Sequence, residues 1–177
     1  LKQSGLTLQK EGEIGTPTIE EWLCTTLGKG KTVAINPEMI SVNGFNTLQN
    51  KLQKGGLNIY TKFDFIKAVW KNRPEMPKSP VIEFGEEHSG ENTKSKLSRL
   101  REQIASNNAN TMLITALDEI AWLFNIRGAD IDYNPVNISF ALVTPNKATL
   151  FIAEEKISDK VRNYLNKFDV NTEAYEN

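Results

Sequence analysis

With 177 residues, 39% of them hydrophobic and 24% charged, the chain has the composition of one or two globular domains, which argues against a largely disordered protein. Its 21 basic and 22 acidic side chains leave a net charge of -1, too weak a field to make nucleic acid or anionic lipid a main partner. The single cysteine, Cys24, excludes an internal disulfide, and no apolar run approaches the roughly 18 residues of a membrane span.

The opening stretch LKQSGLTLQKEGEIG lacks the basic, apolar and small-residue order of a signal peptide and reads like the middle of a longer chain. A lone thiol and no secretory signal point to the cytoplasm. The first helix starts near Thr16-Pro17-Thr18. Either Thr16 caps it with Pro17 in the first turn, or Thr18 and Glu21 form a capping box, and Gly28 and Gly30 end it. Lys31 to Asn36 reads as a short buried strand closed by Pro37. Phe45, Leu48 and Leu52 recur at helical spacing up to the stop Gly55-Gly56, and Leu57 to Tyr60 reads as a second strand. Strand, helix, strand in that order predicts a parallel pair with a right-handed crossover. Phe65, Ile66, Val69 and Trp70 add a helical patch.

Pro74, Pro77 and Pro80, followed by the polar run Glu83 to Thr93, cannot continue a regular element, so the domain boundary is expected here. Leu97, Leu100 and Ile104 mark a helix that ends at Asn107-Asn108, and Thr111 to Thr115 reads as a buried strand. Leu117, Ile120, Ala121 and Phe124 share one face of a helix with Asp118 and Glu119 at its favourable N-terminal end; Asn125, Arg127 and Gly128 break it. Ser139 to Thr144 and Ala148 to Ala153 flank Pro145-Asn146-Lys147 as an antiparallel hairpin. The last helix runs from about Ser158 through Val161, Leu165 and Phe168. Each half is thus a small α/β unit. Trp22, Trp70 and Trp122 sit among apolar helical neighbours and are expected in cores, as is Cys24.

Rival motifs fail on their own chemistry. Asp130-x-Asp132-x-Asn134 opens like a calcium loop, but Pro135 stands where glycine is required and Ala141 where a bidentate glutamate belongs. Gly30-Lys31-Thr32 ends like a phosphate loop yet follows a helix and has Thr25 at the upstream glycine position. Glu86-Glu87-His88 reads as solvated polar chain rather than a metal site. Asn137-Ile138-Ser139 is a chance glycosylation sequon.

The segment TALDEIAWLFNIRGADIDYNPV, Thr115 to Val136, resembles the second of the two non-catalytic domains that precede the metallopeptidase domain in the aminopeptidase P, or Xaa-Pro aminopeptidase, family. GEIGTPTIEEWL, Gly12 to Leu23, and Arg73-Pro74 resemble the latter part of the first; Leu6 stands where the family often has Trp before the pair seen here as Thr7-Leu8. The resemblance implies an α/β fold in three stretches. Residues 1–78 are the C-terminal part of an incomplete first domain, 79–92 a linker, and 93–177 a creatinase N-terminal-like domain with a mixed sheet flanked by helices. It implies a parent enzyme that releases an N-terminal residue preceding proline, using two divalent metal ions, manganese being expected, held by two Asp, one His and two Glu of a later domain. This chain has one histidine, His88, outside any such motif, so no catalytic or metal-ligating residue is expected in it. Its implied partners are its own catalytic domain, further copies of the subunit and, for the whole enzyme, proline-containing peptides.

Asn125 and Arg127 are the candidate site residues. The plain expectation is that the Arg127 guanidinium satisfies carbonyls at the end of the preceding helix or pairs with Asp130 or Asp132. The family resemblance adds a substrate-entrance or interface role toward a neighbouring subunit. A different class of function, a peptidase-derived binding module without catalysis, as in a histone chaperone, would keep the fold and need no metal ligands.

Overall fold

The computed structural model describes residues 4–62 and 64–176, and the chain forms two compact units that divide between Pro74 and Glu75.

In the first unit, α1 (Ile19–Leu27) begins with the capping box: Glu21 N–H reaches Thr18 Oγ1 at 3.3 Å and Thr18 N–H reaches the Glu21 carboxylate at 2.9 Å. Pro17 therefore precedes the cap rather than opening the helix. β1 (Thr32–Ala34) and β2 (Asn58–Tyr60) pair in parallel, connected through α2 (Val42–Lys54), which Ser41 caps. Two helices approach closely here. A Cβ on Gly55 would lie 2.2 Å from Cys24 Sγ, so only glycine lets the end of α2 pass α1. Cys24 is half-buried, less enclosed than expected. A short α3 (Phe65–Val69) is capped by Asp64, which also pairs with Arg73 at 2.9 Å. Leu52 and Leu57 are the buried hydrophobic side chains among the described residues of this unit, while Trp22 and Trp70 remain 42% and 51% exposed. The expectation that these tryptophans are core residues is corrected: apolar neighbours along a helix do not supply a second layer to bury them.

The second unit holds the main core. A four-stranded mixed sheet runs in the order β4 (Met112–Ile114), β6 (Phe140–Val143), β7 (Ala148–Phe151), β8 (Val170–Glu173), with β5 (Ile126–Arg127) paired elsewhere to β3 (Ile82–Glu83). β4–β6 and β6–β7 are antiparallel, as the hairpin pattern required, and β7–β8 is parallel. α5 (Thr93–Ser106), α6 (Leu117–Leu123) and α7 (Asp159–Asn166) supply Leu97, Ile104, Ile120, Leu123, Val161 and Leu165 to a core shared with Ala141, Val143, Leu150 and Val170. Each such aliphatic side chain, once fully covered, contributes about 1.5–3 kcal/mol of apolar transfer.

Three expectations differ from this unit. Residues 79–92 are not a free linker: Val81 is buried, its N–H donates to the Lys156 carbonyl, and β3 and the short helix α4 (Glu86–Ser89) occupy the polar run. The prolines mark the entry to the unit, and one apolar side chain among polar neighbours suffices to anchor it. β4 is an edge strand with Leu113 exposed, so only Ile114 of the expected buried strand faces the core. Trp122 is 46% exposed because it lies opposite the Ile120–Ala121–Leu123 face.

Candidate functional site at the end of the sixth helix

α6 stops because Asn125 adopts a left-handed conformation, φ 49°, one residue after the cap Phe124. Among side-chain-bearing residues Asn enters that region most readily, and the carbonyls of the last helical turn are then left for other donors. Those donors come from three elements. Lys96 of α5 donates from Nζ to Trp122 O at 2.8 Å and to Asn125 Oδ1 at 2.7 Å, with the ammonium 4.4 Å from the Trp122 ring centroid. Tyr164 of α7 donates to Phe124 O at 3.2 Å and contacts the Thr93 hydroxyl at 3.3 Å. Arg127 of β5 donates from Nη1 to Ala121 O at 3.0 Å and Ile126 O at 2.8 Å, its guanidinium 4.2 Å over the Phe84 ring.

The two predicted site residues therefore sit in one network with different exposure. Asn125 is buried, its amide nitrogen spent on Glu91 O at 2.8 Å and its carbonyl on Lys96. Arg127 is half-buried, and among the described residues it makes no ion pair. Its expected hold on the preceding helix is present through Ala121. The expected pairing with Asp130 or Asp132 is not, because Lys156 takes Asp130 and Asp132 is exposed.

Lys96 and Arg99 lie over the Trp122 ring and Arg127 over Phe84; the Glu91 carboxylate accepts from Ser95 Oγ at 2.6 Å and from Arg99 at 2.9 Å. Burial holds the Lys96 ammonium below its ordinary pKa; Glu91 opposes this, while Arg127 and Arg99 add to it. The Ser95 hydroxyl and then Arg99 keep the Glu91 carboxyl below its usual range. The same burial raises Tyr164. Trp122 and Arg99 are exposed above the buried Lys96, and with the half-buried Arg127 they present aromatic and cationic groups suited to meeting carbonyl or carboxylate groups.

The residues that the family's metal site would need do not gather here. Asp130 turns inward, its Oδ2 2.6 Å from Lys156 Nζ and 2.7 Å from the Ile138 nitrogen, and His88 is an exposed residue beside Glu87. Among the described residues no group of three or more His, Cys, Asp or Glu side chains is placed to hold a metal ion. Asn137, the sequon asparagine, is buried and donates to Ser79 O at 3.1 Å. A Cβ on Gly128 would meet its carboxamide at 2.1 Å.

Sequence reasoning missed Lys96, Lys156 and Tyr164. Lys96 lies next to Leu97 on the buried side of α5, but a lysine there ordinarily carries its charge out to solvent. Its acceptors, Trp122 O and Asn125 Oδ1, come from a segment 26 to 29 residues away.

Residues 72–177 match the family model described as the Creatinase/Prolidase N-terminal domain, covering the whole second unit. The chain belongs to the creatinase/prolidase N-terminal domain family. Curated relatives of this creatinase-type chain include sequences named probable Xaa-Pro aminopeptidase P. One from Pyricularia oryzae is 38% identical over 96% of the chain, and one from Fusarium vanettenii is 39% identical over 98% of it. A solved X-prolyl aminopeptidase from Caenorhabditis elegans, described as a cytosolic enzyme with a di-nuclear active site, superposes with a TM-score of 0.78 at 29% identity over 96% of the chain. The creatinase-type chain spans 28% of the length of each of these proteins.

Proposed function

We propose that this chain is the non-catalytic N-terminal region of a cytoplasmic Xaa-Pro aminopeptidase, serving subunit assembly and substrate access. The observation that carries the reading is similarity along nearly the whole chain to proteins bearing that name, of which it makes up little more than a quarter. The full enzyme would then release an N-terminal residue preceding proline, with its paired metal ions, manganese in this reading, held outside this segment. The subunit would assemble as a homo-oligomer.

Within this reading Asn125 is a positioning residue. Its left-handed turn, locked by Lys96 and Glu91 O, aims β5 so that Arg127 lies at the surface with one edge of its fork still able to meet a peptide carbonyl or carboxylate at a neighbouring substrate entrance. Substituting Arg127→Ala in the full-length enzyme tests this. The expected result is a KM for a Xaa-Pro peptide raised about tenfold at nearly unchanged kcat. A variant whose only defect is a lower melting temperature would show that Arg127 serves the fold alone.

A further inference from the structure

After β5 the chain makes a turn whose base is fixed and whose tip is bare. At the base Asp130 pairs with Lys156 inside the protein, its N–H donates to Val136 O at 3.1 Å, and Gly128 N–H donates to Pro135 O at 3.2 Å. Ile131 and Asn134 bridge across the turn, with Asn134 N–H on Ile131 O at 3.1 Å. At the tip Tyr133 has φ 63°, the left-handed region that a bulky side chain rarely enters. Its ring is fully exposed, as 107% relative accessibility records, and Ile131 beside it is 41% exposed. Among the described residues no side-chain hydrogen bond or ion pair holds Asp132 or Tyr133. A turn shaped for its own fold would carry glycine or asparagine at such a position and a polar residue at 131.

We infer that the Ile131–Asp132–Tyr133 tip is a docking knob that seats in an apolar slot rimmed by a lysine or arginine on the catalytic portion of the longer enzyme. The inference rests on the reading proposed above. Lys156 pairs with Asp130, which leaves Asp132 as the exposed charge of the tip, and a lysine or arginine opposite would complement it. Tyrosine, with few rotamers to lose, is a common anchor of protein interfaces, and strained backbone collects at such clamps. The relatives carry more than two thirds of their length outside the region matched by this chain, so the surface available to the knob belongs mostly to that remainder. Tethering in one polypeptide makes even a small contact effective.

Hydrogen exchange of the amides of residues 128–136 tests the contact in this chain and in the full-length enzyme. Exchange in the wild type is expected to be at least about tenfold slower in the full-length protein. Tyr133→Gly and Asp132→Lys are each expected to abolish that protection, while leaving the melting temperature of this chain within about 2 °C of wild type. Equal exchange in the two wild-type proteins, or protection that survives both substitutions, would overturn the inference. So would protection that appears in this chain alone as its concentration rises, since a second copy would then be the occupant. Turnover of a Xaa-Pro peptide by the full-length wild type, measured alongside, reports separately on the proposed function.

Discussion

Lys156 Nζ lies 2.6 Å from Asp130 Oδ2 with both side chains closed off from solvent, tying the loop after β5 to the 3-10 turn Glu154–Lys156. The Lys156 backbone also holds Val81, so one residue secures two loops. Removing one member of such a pair leaves the other charged and buried, and Lys156→Met is expected to cost about 3–5 kcal/mol in urea denaturation. The double variant Asp130→Leu with Lys156→Met should recover most of that loss. A single variant within about 1 kcal/mol of wild type would contradict a sealed pair.

Lys96 predicts a pH dependence of definite sign. Burial lowers its pKa in the folded chain, against the opposing pull of Glu91 and with the help of Arg127 and Arg99. The unfolded chain keeps the proton up to about pH 10.4. Between the lowered folded value and that limit the unfolded state binds more protons, so stability rises with pH; below the folded value the contribution is flat. The melting temperature of wild type relative to Lys96→Met should therefore climb as pH is raised toward 10. Tyr164, raised by burial, acts in the opposite sense above about pH 10, which sets the upper end of the scan. A constant difference would show that folding does not shift Lys96, and a difference that falls with pH would show a folded pKa raised instead of lowered; either would contradict the prediction.

Gly55→Ala should destabilise the first unit by about 1–3 kcal/mol, because the new methyl would meet Cys24 Sγ at 2.2 Å. Gly55 has φ -74°, so the cost is steric and not conformational. Adding Cys24→Ala should recover a good part of it in a double-mutant cycle. Equal losses with and without the thiol would place the strain elsewhere.

What the sequence makes legible is what acts over three or four residues. The Thr18–Glu21 box, the Gly55-Gly56 stop, the hairpin around Pro145-Asn146-Lys147 and the end of α6 at Asn125 are all local devices, and each is found in its expected place. Features that depend on distant partners are not legible. β8, Val170-Asn171-Thr172-Glu173, is mostly polar and owes its place to parallel pairing with β7. Val81 looks like linker until the Lys156 carbonyl binds it, and Trp122 looks like core until the opposite face of α6 fills that role. The candidate site divides the same way. Arg127 stands out as an unneeded guanidinium at a helix end, whereas the burial of Lys96 and the inward turn of Asp130 follow from tertiary packing alone.

On the proposed function this polypeptide is scaffold to a hydrolase whose ion-binding centre lies in another part of the molecule. Hydrolysis of a Xaa-Pro peptide with manganese, run on this chain and on the full-length protein at equal concentration, tests it most directly. The expected result is turnover by the full-length protein and none by this chain above a metal-only control. Turnover by this chain well above that control, lost on chelation, would contradict the account.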